Sequence, residues 1–293
     1  MPKHANPFSL DDRTAYADWR GAKLDGCPRR IDDLIVEVND PRRLTDAEYA
    51  AILDRCRRAN LAVYVGRTGD DPDKDIPRLL GERFGLRRLD RNPGADADAI
   101  TSITIQSDAL HSGYIPYTDR PIAWHTDGYY NAPDRQIHAF ILHCVHPSAN
   151  GGENGLLDPE MAYIRLRDRD PEHLRALMQP DAMTIPPNSV DGVELRPASV
   201  GPVFSCDAGG HLLMRYTDRR RNILWRDDPA TSAAVTALRE VFEAADTPVF
   251  RARLEPGWGV ICNNVLHSRT RFNDDGSPRL LYRARYYDRI EGT

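Results

Sequence analysis

The residues that promise chemistry are His125 and Asp127, in the stretch Ile122-Ala123-Trp124-His125-Thr126-Asp127. Side chains alternate sides along a β-strand, so positions i and i+2 leave the same face while i and i+1 diverge. An imidazole and a carboxylate spaced in this way can grip one metal ion. A third donor is available at His267, shortly after the apolar, strand-like run Gly259-Val260-Ile261-Cys262. Two histidines and one carboxylate, with three coordination positions left open, make the facial arrangement associated with non-haem Fe(II) oxygen chemistry. A lone His-x-Asp is common by chance, so the reading needs support from elsewhere in the chain.

Arg279-Leu280-Leu281-Tyr282-Arg283-Ala284-Arg285-Tyr286-Tyr287 supplies it. As a strand, this segment carries Arg279, Leu281, Arg283 and Arg285 on one face and Leu280, Tyr282, Ala284 and Tyr286 on the other. The apolar face suits a covering layer, and the basic face must meet solvent or a polar cavity. A guanidinium in a semi-enclosed cavity needs an anionic partner, because burying it unpaired is costly. An acid cosubstrate would provide one.

Taken in order, His125-Thr126-Asp127, His267 and Arg279 resemble the Fe(II)/2-oxoglutarate-dependent dioxygenases of the taurine dioxygenase and clavaminate synthase-like superfamily. Gly151-Gly152-Glu153-Asn154 matches three of the four positions of that family's Gly-Gly-acidic-Thr/Ser turn. The departure is Asn154, whose amide can donate a hydrogen bond in place of the family's hydroxyl. The resemblance covers roughly residues 100 to 288. It implies a mainly β fold with surrounding helices, a double-stranded β-helix or cupin-like jelly roll. It further implies Fe(II) on His125, Asp127 and His267, with 2-oxoglutarate chelating two open positions and O₂ taking the last. The distal carboxylate of 2-oxoglutarate would reach Arg279, helped by Asn154. Succinate and CO₂ would leave, and a small polar substrate, amino-acid-like or otherwise acidic, would be oxidised, in the first instance hydroxylated. The carboxylate at Asp127 argues against halogenation, since related halogenases have a small residue there.

Substrate contacts are expected at Arg283, which shares the face of Arg279 and matches a basic family position near the substrate. Tyr129, Tyr130 and Asn131 follow the metal motif and could line the mouth of a barrel, although adjacent tyrosines often only pack. Arg215 resembles a family position near the substrate, and Gln106 is a polar pocket candidate at the end of an alternating strand. Arg285 reads as a surface ion-pair residue, and Arg219, Arg220 and Arg221 as a solvated loop. His138, His143 and His146 cannot all converge on one ion, and His111, His173 and His211 have no partner at ligand spacing. Two alternatives stay open on the residues alone. One is a cupin-type iron oxygenase that uses O₂ without 2-oxoglutarate, and the other is a non-catalytic descendant of the fold. Desaturation or cyclisation on the same chemistry is a further variant of the outcome.

Composition sets bounds on these readings. With 293 residues and 41% hydrophobic content, the chain can bury one large core. A single catalytic domain over 1–293 is expected, with a support region over 1–100, a core over 100–288 and a helical insertion at about 158–245. A net charge of −5 does not favour nucleic acid or an anionic membrane. No apolar run approaches a membrane span, and the first residues do not look like a signal peptide, so a cytoplasmic location is expected. Cys27, Cys56, Cys144, Cys206 and Cys262 are scattered without a CxxC pair and read as packed thiols. Oligomeric state is left open.

The core elements follow from turn and cap signals. Thr45-Asp46-Ala47-Glu48 reads as a capping box opening a helix to about Asn60, followed by a buried strand Leu61–Val65 ended by Gly66. A helix is expected over Asp75–Phe84, stopped by Gly85, and then a loop over 86–100. Strands follow at Ile100–Gln106, Ile122–His125, Ile137–Val145 and Leu156-Leu157. The stretch 158–180 reads as helical from Asp158-Pro159, closed off by Pro186-Pro187. Strands at Val203–Ser205 and His211–Arg215, a helix Pro229–Ala245 capped by Asp228, and strands Phe250–Leu254, Gly259–Cys262 and Leu280–Tyr287 complete the reading. Short strands separated by Gly, Pro and Asp turns argue for a sandwich or barrel core.

Overall fold

Thr45 and Glu48 cap each other's backbone, and Asn60 closes the same helix in the left-handed region at φ 59°. Such local signals fix much of the framework. The computed structural model describes residues 6–91, 95–106, 115–190, 193–219, 223–274, 276 and 278–293. His111, Arg220 and Arg221 lie outside the described residues.

In chain order the elements begin with α1 (Arg13–Gly26), β1 (Ile35–Val38), α2 (Asp46–Ala59), β2 (Leu61–Gly66), α3 (Asp75–Arg83), β3 (Thr101–Ile103) and β4 (Ile122–His125). Next come β5 (Ala139–His146), β6 (Asn150–Gly151), β7 (Asn154–Leu157), α4 (Pro159–Arg169) and α5 (Pro171–Leu177). Short strands follow: β8 (Met183–Ile185), β9 (Asn188–Val190), β10 (Val193–Arg196), β11 (Ser199–Gly201), β12 (Phe204–Cys206), β13 (Leu212–Met214) and β14 (Leu224–Trp225). Then come α6 (Pro229–Glu243), β15 (Phe250–Ala252), β16 (Trp258–Cys262), β17 (Leu266–Arg269), β18 (Phe272–Asn273) and β19 (Leu280–Tyr286). The fold is mainly β with several helices. No helix among the described residues is long and apolar enough to cross a membrane.

The chain divides into two compact units, one of Met1–Cys27, Gly128–Gln136 and Leu157–Val249, the other of Pro28–Asp127, Ile137–Leu156 and Phe250–Thr293. In the second unit a six-stranded sheet runs β1-β2-β16-β5-β19-β3, and a four-stranded sheet runs β15-β7-β17-β4. Leu156, Phe250 and Ala252 of the smaller sheet share an apolar core with Val63, Phe140, Val260 and Leu281 of the larger one. The outer face of the large sheet, with Tyr282, Ala284 and Tyr286, packs against Ile52, Leu53, Leu80 and Phe84 of the helical side. The two faces expected for the last strand are therefore the faces observed, with a register shift at Leu280/Leu281. Gly259 is needed on β16 because a Cβ there would lie 2.3 Å from the buried Tyr64 ring.

The first unit contains α1 and α4–α6. Asp12 caps α1, and Lys23 on that helix is buried against Asp158 and Glu160 at 2.6 and 2.5 Å. Aromatic edges of Phe8, Trp19 and Tyr163 meet at centroid distances of 4.9 to 6.3 Å and dock the N-terminal segment.

Several expectations need correction. The strand expected to reach Gln106 ends at Ile103, because β3 pairs with β19 only across Leu281, Tyr282 and Arg283. Gln106 lies beyond it, with its N–H donating to the Tyr117 carbonyl at 3.1 Å. The helical stretch 158–180 is two helices, since Asp170 ends one and caps the next ahead of Pro171. Helix α1 and the short strands between Met183 and Gly201 are additional to the elements expected from the sequence. Cys56, Cys144 and Cys262 are buried thiols as expected, whereas Cys206 is exposed.

Candidate metal centre

His125, the last residue of β4, is the direct cross-strand partner of His267 on β17. The two rings lie 4.0 Å apart between centroids. Each Nδ1 is 3.0 Å from a carbonyl two residues back on its own strand, Ala123 for His125 and Val265 for His267. A carbonyl only accepts, so each Nδ1 carries the proton and the lone pair sits on Nε2, the form in which an imidazole ligates metal. Donor atoms of His125, Asp127 and His267 all lie within 4.8 Å of one another, which makes them the candidate metal cluster among the described residues.

Asp127 is buried two residues past the end of β4. Its Oδ1 lies 3.1 Å from Nη1 of Arg283 and 3.8 Å from Nη1 of Arg285. Oδ2 is buried without a hydrogen-bond partner. A native carboxylate oxygen in that condition calls for an explanation, and a divalent cation supplies one. Burial pushes the Asp127 carboxyl up, but the Arg283 and Arg285 guanidiniums outweigh it and hold the group well below the usual carboxylate range. Burial lowers His125 to about 3, with His267 adding to the effect, and lowers His267 as well. Neutral imidazoles beside an ionised carboxylate are the protonation states that ligation requires. The residues present fit a ferrous ion.

Arg285, expected at the surface, is instead 2% exposed and paired with the buried Asp90. Tyr287 Oη also donates to Asp90, at 2.5 Å. On the enclosed inner face of β19, Arg285 thus pairs with Asp90 and Arg283 with Asp127. Asn264 had no assigned role in the sequence. Its side chain accepts from the Asp127 N–H at 2.8 Å and donates to the carbonyls of Asp127 at 3.0 Å and Ile137 at 2.7 Å. An Asn three residues before His267 is a faint signal, legible only once the turn conformation is known.

Arg279 is 4% exposed, with its guanidinium 5.0 Å above the Phe272 ring. Among the described residues no ion pair to that guanidinium is formed, and burial pulls it down to about 10. Arg279 and Asn154 line one small pocket together with Ser148, Gly151, Gly152 and Arg253. Gly151 and Gly152 both have positive φ, and a Cβ on Gly151 would strike the Arg271 carbonyl at 2.1 Å. The Gly-Gly turn is thus required by close backbone approach. Asn154 donates a long hydrogen bond, 3.3 Å, to the Ala252 carbonyl.

The other candidates belong to the first unit. Tyr129 is hydrogen-bonded to Thr217, and Tyr130 meets its ring edge-on at 5.1 Å. Asn131 donates to the Arg135 carbonyl and accepts from Ser199 Oγ. Arg215 is buried, with its guanidinium donating to the carbonyls of Met183, Ser199 and Gly201. Of the remaining histidines, His143 is bonded through Nδ1 to Tyr64 Oη at 2.9 Å and His211 to Asp207.

A sequence model of the Taurine catabolism dioxygenase TauD, TfdA family matches residues 32–285. A uridine-5'-phosphate dioxygenase of an Amycolatopsis species is 31% identical over 275 residues, covering 87% of this chain and 97% of that protein. Among solved structures, asparagine oxygenase in complex with Fe(II), hydroxyasparagine and succinate is 18% identical, with a TM-score of 0.56 over 82% of this chain and 79% of that one. AAD-2 in complex with Mn(II) and N-oxalylglycine is 12% identical, with a TM-score of 0.62 over 88% and 97%. PvcB of Pseudomonas aeruginosa is 16% identical, with a TM-score of 0.58 over 89% and 87%. Neither the O₂-only cupin reading nor the non-catalytic reading fits this company. The chain belongs to the TauD/TfdA family and is a non-haem iron dioxygenase dependent on Fe(II), 2-oxoglutarate and O₂.

Proposed function

We propose that the protein oxidises a small substrate bearing an acidic group, with a uracil nucleoside 5'-phosphate as the first candidate, and that hydroxylation at carbon is the outcome. His125, Asp127 and His267 hold the iron in this reading, and Arg279 with Asn154 holds the distal carboxylate of 2-oxoglutarate. The observation that carries the substrate class is Arg283, a guanidinium whose side chain is 12% exposed beside the metal cluster. Its Nε has no hydrogen-bond partner among the described residues, so it can take up an anion while Nη1 holds Asp127 Oδ1. The phosphate in the name of the Amycolatopsis relative is an anion of that kind.

An Fe(II) held by His125, Asp127 and His267, with 2-oxoglutarate anchored by Arg279 and Asn154, would supply the oxidative decarboxylation to succinate and CO₂ that drives oxygen transfer to the substrate. The protein's part is position and electrostatics. Carbonyls of Ala123 and Val265 set the ring orientation of the two histidines, and Arg283 holds Oδ1 of Asp127 so that Oδ2 faces the ion. The two sheets of the second unit are read as halves of a double-stranded β-helix. This is supported by a chain that passes from the small sheet to the large between β4 and β5 and again from β17 to β19.

The test measures succinate released from 2-oxoglutarate by Fe(II)-loaded protein in the presence of uridine 5'-phosphate, uridine, or single amino acids. Stimulation by the phosphate and not by uridine is expected. Equal stimulation by uridine would remove the role of the anion, and stimulation by an amino acid alone would replace the nucleotide with the amino-acid class.

A further inference from the structure

We propose that Asn264 is a positioning residue for the iron site, acting through the backbone of Asp127. The inference rests on the reading that His125, Asp127 and His267 hold the ion. His125 is placed by the ladder itself, because it pairs with His267 across β4 and β17. Asp127 lies beyond the end of β4, where the backbone ladder has stopped. There the Asn264 amide does what a neighbouring peptide group would do. It accepts from the N–H of Asp127 at 2.8 Å and donates to the C=O of the same residue at 3.0 Å. Its second amide hydrogen goes to the Ile137 carbonyl at 2.7 Å, tying in the segment that leads to β5.

Two requirements meet at this position. The backbone has φ 48°, in the left-handed region that Asn tolerates better than most residues. The side chain must be a short amide, since it offers one acceptor and two donors and uses all of them. A shorter polar side chain cannot make the three bonds, and a bulkier one would not suit the turn. Asn264 is buried, so these bonds do not compete with solvent. It lies three residues before His267, so one turn holds both the carboxylate-bearing segment and the second imidazole.

Asn263 provides an internal control. It is equally buried and equally bonded, but to Asn60 Oδ1, Thr293 Oγ1 and the Ile290 N–H, away from Asp127. If Asn264 acted only by holding the turn together, the two substitutions would have the same effect on the ion.

The experiment titrates metal-free full-length protein with Mn(II) by calorimetry and records thermal unfolding of the same samples. Asn264→Gly keeps the left-handed backbone and removes the amide. It should bind Mn(II) about 10- to 100-fold more weakly than wild type, the range seen when outer partners of metal ligands are removed. Asn264→Asp keeps the acceptor for the Asp127 N–H but turns an acceptor oxygen toward the Asp127 and Ile137 carbonyls, and should bind Mn(II) no more tightly than the glycine variant. Asn263→Ala should stay within about twofold of wild type, by the same reasoning that it has no contact with a ligand. Wild-type affinity in Asn264→Gly would overturn the proposal, and so would an equal loss in Asn263→Ala. Unfolding of both Asn264 variants at the titration temperature would assign the residue to the fold and overturn it too. His125→Ala separates the underlying reading: if that variant binds Mn(II) like wild type, the cluster assignment itself has failed, whatever Asn264 does.

Discussion

Arg283 Nη1 rests 3.1 Å from Oδ1 of Asp127, while Oδ2 of the same carboxylate has no hydrogen-bond partner. One oxygen is held and the other is presented. In the proposed reading Arg283 would hold one oxygen of the carboxylate and still have donors for an incoming anion.

Arg283→Ala should raise KM for the acidic substrate by about tenfold or more, the equivalent of losing one charge-assisted hydrogen bond. Uncoupled turnover of 2-oxoglutarate should fall less than the substrate-dependent rate, since Arg283 also holds Oδ1 of Asp127. Arg283→Lys keeps the charge but loses the planar fork, and should lie between. An unchanged substrate KM in the alanine variant would place the anion elsewhere.

Arg279→Ala should raise KM for 2-oxoglutarate by about 10- to 100-fold, since a forked, charge-assisted contact in a buried pocket is lost. Steady-state succinate formation with varied 2-oxoglutarate checks this. The same KM as wild type would move the anchor to another cation.

Metal should stabilise the native chain by mass action, by about 2.7 kcal/mol when free Mn(II) is a hundred times its dissociation constant. Thermal melting should therefore rise with added Mn(II) and fall back with a chelator. In His125→Ala the rise should vanish. A His125→Ala protein that still melts higher with Mn(II) would show that the ion binds at other donors.

His143 gives a pH dependence. It is fully buried on β5, and burial lowers it from 6.5 to about 4. The unfolded chain takes up this proton near 6.5, whereas the folded chain refuses it until about 4. The unfolded state therefore binds more protons within that window, and native stability falls as the solution is acidified through it. The contribution is full above the upper limit and amounts to about 3 kcal/mol. Denaturant midpoints of the metal-free protein across this range should fall less steeply in His143→Gln than in wild type. Equal slopes would assign the acid sensitivity to other groups.

Helix α2 was legible because every signal for it is local: Thr45 and Glu48 at one end, Asn60 at the other. Helix α1 was not, because a buried lysine breaks its apolar pattern, and the partners that make Lys23 tolerable, Asp158 and Glu160, lie far along the chain. The convergence of His125, Asp127 and His267 could be anticipated from a two-residue alternation plus one distant histidine. Arg285 was misplaced because a charged residue reads as solvated until its counter-ion is found, and Asp90 sits in a stretch rich in Asp, Arg and Gly that looks like an exposed loop. Asn264 escaped because it does no chemistry itself and its partners are mostly backbone atoms, which a sequence does not display.

The pairing of His125 with His267 has a consequence for how the chain finds its strand alignment. Strands β4 and β17 are only four residues each, and a slip of one position would turn one imidazole to the opposite side of the sheet. An ion that required both rings would bind the observed alignment and not its neighbours, so metal bound at this pair would favour that register by mass action.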